Sequence, residues 1–390
     1  MLRKIVACFA IILGSVINSY AASCDKEVNI GLFFDTKMNQ VDQNYNNFKV
    51  SVESEFEIKK YTKDCIEIIG CKNESIDVKK MTDQNKIVVY KENNKFLCAK
   101  DDEYIEIVPK NRLFTINSER TYRGNLILKN TSEKKFVLIN KLFMEEYLYG
   151  VVVKEIGFRA PIEAIKAQAI AARTYTLTNM GMFSTYGFDL TDSKYQQVYG
   201  GYTSEKEEVN SAVDETKNLT MFYDDKPIKA FYFASSGGRT ENCENVWVNK
   251  IPYLVSVPDE YERNRGPRNW SVYLTCDQIS SRMKNRGVEL GEILDVVVTK
   301  RVASGRVLEL KIIGSKGTYT LNKNEVRVPF NLRSQLFWIQ KEGNTFHFYG
   351  KGFGHGVGLS QIGAMAMADA GFNYEGILKH YFTGIEIKEY

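Results

Sequence analysis

The sequence predicts an α+β fold: mixed sheets with a central helix and a glycine-rich C-terminal segment, preceded by a β-rich N-terminal domain. Three observations predict it. Short runs of β-branched and aromatic residues, broken by Asn, Asp and Lys, recur from Val28 to Ile139. A single strongly helical stretch spans Pro161 to Met180. Gly350 to Ala364 holds six glycines in fifteen residues around His355, a density that lets backbone crowd a ligand or another strand.

At 390 residues the chain exceeds one ordinary core, and 44% hydrophobic with 12% aromatic content is globular rather than disordered. Arg3 and Lys4 precede an apolar run from Ile5 to about Ile17, then Ser19-Tyr20-Ala21, the small-x-small form of a secretory cleavage site. Residues 1–22 read as a signal peptide cut near Ala21, with a retained membrane anchor as the alternative. The apolar run is short of the roughly 20 residues that span a bilayer. Either reading makes the chain exported, with the rest of it facing outward. A lipoprotein site at Cys24 is disfavoured, because Ala21-Ala22-Ser23 lacks the expected leucine.

The formal charge is +4, and cleavage would remove Arg3 and Lys4, leaving too little to imply a nucleic-acid partner. Cleavage also removes Cys8 and leaves Cys24, Cys65, Cys71, Cys98, Cys243 and Cys276, an even number in an exported chain. Disulfides are expected around Cys65, Cys71 and Cys98. No Cys-x-x-Cys pair and no histidine near a cysteine supports a metal site.

Residues 23–110 form the β-rich accessory domain, with runs at Val28–Phe34, Phe48–Val52, Cys65–Ile69 and Ile87–Tyr90. Residues 111–390 form a second domain. Its opening strands are Phe114–Ile116, Asn125–Leu128 and Phe136–Ile139, with Arg123-Gly124 as a turn. Tyr149–Val153 reads as a further strand-like run. Proline at the first position, Glu163 in the first turn and Gly181 after the last bound the central helix. A charged helix at 205–217, a hairpin of Thr220–Tyr223 with Ile228–Ala234 across Asp224-Asp225, and an irregular stretch from Trp247 to about Thr275 follow. Strands at Ile293–Thr299, Val307–Ile313 and Thr318–Leu321 and a closing helix at Tyr374–Phe382 complete the chain. No internal repeat or low-complexity linker is present.

Glu155 lies between Tyr149–Val153 and the Pro161 helix, beside Ile156 and Phe158. A carboxylic acid desolvated there would have a raised pKa, suited to general acid work; a solvated loop glutamate is the bland alternative. Glu145 and Glu146 compete with it. Ser235-Ser236-Gly237-Gly238-Arg239-Thr240-Glu241 ends a strand with hydroxyls, two glycines and charged groups, a turn that can meet a polar ligand such as a sugar. A serine hydrolase using Ser235 or Ser236 with His355 as base is a rival reading, but no Gly-x-Ser-x-Gly elbow is present.

Four blocks, Glu145 to Glu155, Ala164 to Tyr175, Ser235 to Glu241 and Gly352 to Gln361, resemble in order and spacing the SpoIID/LytB family of stage II sporulation protein D and amidase-enhancer proteins. The resemblance covers roughly residues 110–390. It implies a peptidoglycan lytic transglycosylase that cuts between N-acetylmuramic acid and N-acetylglucosamine in peptide-stripped strands, leaves 1,6-anhydro ends and needs no cofactor. Glycan strands and a partner amidase are the implied partners, in sporulation engulfment or wall remodelling. The family's catalytic acid lies in a Ser-Glu-Met-Pro segment, which matches Lys154-Glu155-Ile156-Gly157 and assigns the role to Glu155. Candidates for positioning glycan are Gln168, Arg173, Gln197, Tyr199, Ser235, Ser236, Gly237, Arg239, Glu241, His355 and Gln361. Some members bind zinc through a Cys/His cluster ending Gln-Val-Tyr; Asp189 to Tyr199 has neither residue, so no metal is expected. The alternative function is a non-catalytic glycan-binding enhancer of an amidase.

Overall fold

The computed structural model describes residues 5–7, 26–36, 40–42, 45–81, 85–92, 94–100, 102–131, 136–266 and 268–390. Apart from Ile5–Ala7, the stretch read as an export signal lies outside the described residues, as do Cys8 and Cys24. The fold is α+β, and it divides into two compact units, residues 1–158 with 176–217, and residues 159–175 with 218–390.

The first unit is built on one large, mostly antiparallel sheet. Across it the strands run Leu190–Thr191, Glu27–Leu32, Phe136–Phe143, Asn125–Asn130, Tyr104–Pro109, Asn47–Tyr61, Ile66–Met81, Lys86–Lys91 and Asn94–Ala99. The boundary expected near residue 110 therefore falls inside a single sheet, because Tyr104–Pro109 pairs with Asn125–Asn130 on one side and Asn47–Tyr61 on the other. Alternation sets which face is buried: Phe48, Val50, Val52, Phe56 and Ile58 all point inward. An extra residue between Val52 and Glu55 shifts the register, so the inward set of the partner strand changes from Ile69 and Cys71 to Ile76 and Val78.

The expected disulfide cluster is corrected. Cys65, Cys71 and Cys98 are free thiols, as are Cys243 and Cys276. Cys71 faces Phe56 and Cys98 faces Val88 in the sheet register. Cys71 lies six positions beyond Cys65 along extended backbone, about 20 Å at the rise of a strand, and a disulfide cannot span that.

Tyr149–Val153 is also corrected: it is helix, not strand. Helix α1 covers Met144–Glu155, with Glu145 and Glu146 in its first turn. The Val151-Val152-Val153 run suggested a strand by propensity, but tertiary burial decides, and Tyr147, Leu148 and all three valines are buried. Glu146 holds the start, accepting the Phe143 N–H at 3.1 Å and pairing with Arg112 at 2.7 Å. Helix α2 covers Ile162–Asn179 and helix α3 covers Glu207–Glu215, as the sequence predicts within two residues at each end.

In the second unit the hairpin after α3 is shorter than expected. Leu219–Tyr223 turns at Asp224-Asp225, both with positive φ, and its return strand is only Lys226–Pro227. Its other edge takes the C-terminal strand Glu386–Glu389. Of Ile228–Ala234 only Tyr232–Phe233 is strand, parallel to Leu359–Ser360. The stretch expected to be irregular up to Thr275 ends in a strand, Asn269–Thr275, which leads into helix α4 at Cys276–Lys284. That strand forms a sheet with Thr345–Lys351 and Phe337–Glu342, and Ile293–Arg301, Val307–Gly314 and Gly317–Asn322 form another. One apolar core serves both sheets, with Leu310, Ile312, Phe330, Phe337, Phe346 and Phe348 among its members. Helices α5, Gln361–Asp369, and α6, Tyr374–Tyr381, close the unit. Among the described residues no helix is long and apolar enough to cross a membrane.

Candidate functional site

In the first unit, Glu155 is the last residue of α1. Gly157 has φ +84°, a left-handed conformation that ends the helix just beyond the carboxylate at little cost for glycine. Ile156 is buried while Phe158 is 43% exposed, so only one of the two apolar neighbours shields the acid. Glu155 is half-buried, and its Oε1 accepts the Val198 N–H at 2.8 Å. The segment carrying Val198 is docked on α1 at a second point, where the Gly200 N–H donates to the Gly150 carbonyl at 3.1 Å.

Gln197 and Tyr199, on either side of Val198, point the other way, because side chains alternate along extended backbone. Gln197 is fully buried, and its Nε2 donates to Thr176 Oγ1 at 2.8 Å. Tyr199 is 2% exposed, its hydroxyl donates to Asn140 at 3.0 Å, and burial raises its pKa well above the ordinary value. The structure thus places both behind Glu155 as its backing rather than at the surface.

In the second unit, Ser235 and Ser236 are buried, and both hydroxyls donate to the carboxylate of Glu262. The same carboxylate accepts the N–H groups of Ser236 and Gly237, each at 3.0 Å. Four donors therefore converge on Glu262. Beneath the turn, Arg306 is fully buried and donates to the carbonyls of Ser236 at 2.7 Å and Arg239 at 2.8 Å. Burial pushes its pKa down to about 10 against the attraction of Glu241 and Glu262. Glu241 faces inward, accepting from Asn242, Asn245 and Ser304. Arg239 is exposed, with Nε on Ser256 at 3.0 Å.

His355 sits among the rings of Phe231, Phe233 and Trp247. Its Nδ1 accepts the Val357 N–H at 3.1 Å, so the ring locks its own loop. Burial, reinforced by the cations Arg327 and Arg306, pushes its pKa down to about 3. The imidazole is neutral at pH 7. With Nδ1 taken and both serine hydroxyls given to Glu262, the base and nucleophile of a serine hydrolase are not assembled.

Gln168 and Gln361, both buried, bond to each other at 3.3 Å. Arg173 is 2% exposed and donates to the Leu219 carbonyl at 3.1 Å. These three tie α2 and α5 into the second unit. Glu262 and Arg306 were not anticipated. Glu262 lies in a stretch the sequence left unassigned, two residues after the exposed Glu260, and no local pattern separates the two acids.

The Stage II sporulation protein family matches residues 132–223, and a domain of unknown function, DUF8618, matches residues 259–358. Glu155, Gln197 and Tyr199 fall in the first match; Glu262, Arg306 and His355 fall in the second. The chain is 34% identical to stage II sporulation protein D of Bacillus amyloliquefaciens over 269 residues, 64% of this chain and 76% of that one. It is 30% identical to stage II sporulation protein D of Bacillus subtilis over 266 residues, with the same shares. Identity to the amidase enhancer of Bacillus subtilis is 29% over 294 residues, 62% of this chain but 40% of that protein. With its four sequence blocks present and this extent of shared sequence, the chain belongs to the SpoIID/LytB family.

Proposed function

We propose that the chain is a lytic transglycosylase that cuts the bond between N-acetylmuramic acid and N-acetylglucosamine in peptide-stripped glycan strands. Sporulation and amidase enhancement, the names its family carries, tie it to the cell wall. The observation that carries the finer reading is Glu155, a carboxylate at a helix end fixed by the Val198 N–H. Hydrolytic glycosidases ordinarily use two carboxylates, whereas a transglycosylase lets the sugar's own 6-hydroxyl capture the anomeric carbon, so one can suffice. Glu155 protonates the leaving glycosidic oxygen as the C–O bond breaks. As carboxylate it then takes the proton from the 6-hydroxyl as that oxygen bonds to C1. The proton returns to Glu155, and no water is consumed. Export and an amidase that supplies stripped strands belong to the same reading.

The test is to give the purified chain amidase-stripped strands and read the products by mass spectrometry. Anhydro ends are expected from the wild type and should fall at least about 100-fold in Glu155→Gln, the scale of one general acid. The amide still accepts the Val198 N–H, so folding should persist. Uncut strands with the wild type, together with stimulation of an amidase, would instead select a non-catalytic glycan-binding enhancer.

A further inference from the structure

We propose that a cationic cleft in the second unit binds the carboxylate that a muramic acid residue exposes once its peptide is gone; this rests on the transglycosylase reading above. The cleft measures about 310 Å³, and its lining includes Gly237, Gly238, Arg239, Arg263 and Lys351 together with one acid, Glu262. Arg239, Arg263 and Lys351 are all exposed. Several other cations of this unit pair with acids: Arg265 with Asp369 at 2.5 Å, Lys379 with Glu375 at 2.8 Å and Lys388 with Asp225 at 2.7 Å. Among the described residues, no carboxylate pairs with the three cleft cations.

The one acid in the cleft cannot serve them. Both Glu262 oxygens are occupied by the Ser235 and Ser236 hydroxyls and the Ser236 and Gly237 N–H groups. Glu241 is likewise turned inward onto Asn242, Asn245 and Ser304. Two guanidinium groups and an ammonium around a concavity whose one acid is bonded to the Ser235-Ser236-Gly237 turn form an anion site, since these donors bind carboxylates through charge-assisted hydrogen bonds. The volume is at the small end of ligand pockets, of order 300 Å³, which suits one sugar with a pendant acid.

The chemistry of the strand selects which acid. While the peptide is attached, the lactyl carboxyl of muramic acid is an amide and neutral; hydrolysis of that amide frees a carboxylate at each muramic residue. The cleft therefore reads whether a strand has been stripped, through Arg263 and Lys351 with Arg239 held at the rim by Ser256.

The experiment uses the full chain carrying Glu155→Gln, so that binding is read without cleavage. Fluorescent stripped strands are compared at low salt with the same strands whose carboxylates have been converted to methylamides. Stripped strands should bind at least about tenfold more tightly, the effect of one charge-assisted bond. Adding Arg263→Gln and Lys351→Gln should erase that difference at unchanged thermal stability, while Lys284→Gln on α4, whose partner is Glu289, should leave it. Equal binding of both strands, no binding of either, or discrimination that survives the double substitution would overturn the proposal. The two readings fail separately: uncut strands with discrimination intact sink the reaction alone, and anhydro ends with equal binding sink the cleft alone.

Discussion

Gly356 lies so close to the buried Arg306 that a β-carbon on it would stand 2.8 Å from the guanidinium Nε and Nη2. The glycine also has φ +87°, which side chains rarely adopt. The Gly356 carbonyl meanwhile accepts the Glu241 N–H at 2.7 Å, so the loop cannot retreat without losing that bond. Gly356→Ala combines backbone strain with overpacking against a fixed cation and should cost roughly 2–4 kcal/mol. Urea unfolding of the two chains checks this. An unchanged midpoint would mean that the loop yields freely.

Glu262 organises the Ser235-Ser236-Gly237 turn, so its removal should cost more than removal of either serine. Glu262→Ala strands four donors in a buried setting, and a loss of about 3–5 kcal/mol is expected. Ser235→Ala removes one donor and leaves the carboxylate with three, about 1 kcal/mol. Denaturant midpoints of both variants check the ordering. Equal losses would mean that water or neighbouring groups replace the carboxylate.

The helices α2 and α3 and the strands at Ile293–Arg301 and Val307–Gly314 were legible because periodicity, Pro161 and Gly181 act within a few residues. Helix α1 was not, since three consecutive valines favour a strand until Tyr147 and Leu148 are seen to be buried with them. The first unit's sheet was divided too early, because pairing of Tyr104–Pro109 with Asn125–Asn130 leaves no local trace in either segment. Of the candidate site, Glu155 came from the family resemblance rather than from composition. The inward turn of Gln197 and Tyr199 follows from alternation around Val198, which needs the docking of that segment on α1 to be known. Glu262 reaches Ser235 across 27 residues, a separation at which no sequence period operates.

His355 gives the second unit a signed pH dependence. Its folded pKa is pushed from the ordinary 6.5 down to about 3, so between those values the unfolded ring binds a proton that the folded ring refuses. Stability is therefore fully present above pH 6.5 and is lost as pH falls toward 3. Asp192 in the first unit works oppositely, its carboxyl raised by burial to about 6, and burial also raises Asp259. The difference between wild type and His355→Gln isolates the histidine, because a packing loss shifts the curve without tilting it. Between pH 6.5 and 4 the wild type should lose more stability than the variant. Parallel curves would show an ordinary, exposed imidazole. On the transglycosylase reading proposed above, His355→Gln should also, near pH 7 where the ring is neutral, reduce strand cleavage less than Glu155→Gln does.

Gly150→Ala tests whether Tyr199 and the Val198 segment hold Glu155 in place. Alanine in a helix interior ordinarily gains up to about 1 kcal/mol over glycine, so the substitution would stabilise an exposed helix. Here the new β-carbon would stand 2.6 Å from Cε2 of Tyr199. That ring cannot swing aside easily: it is 2% exposed, lies 5.0 Å from the Tyr147 ring and is anchored to Asn140 at 3.0 Å. Overpacking of this kind costs about 1–3 kcal/mol, so the clash should win and leave the variant less stable. A shift of Tyr199 moves Val198 with it and alters the N–H that orients Glu155. On the transglycosylase reading proposed above, cleavage measured well below the unfolding temperature should fall through kcat rather than KM, since positioning of the acid changes while the cleft of the second unit is untouched. Tyr199→Leu added to Gly150→Ala makes room for the methyl group, so the double variant should recover part of both losses, a non-additivity expected of residues in contact. Strictly additive losses would mean that Glu155 is held independently of Tyr199.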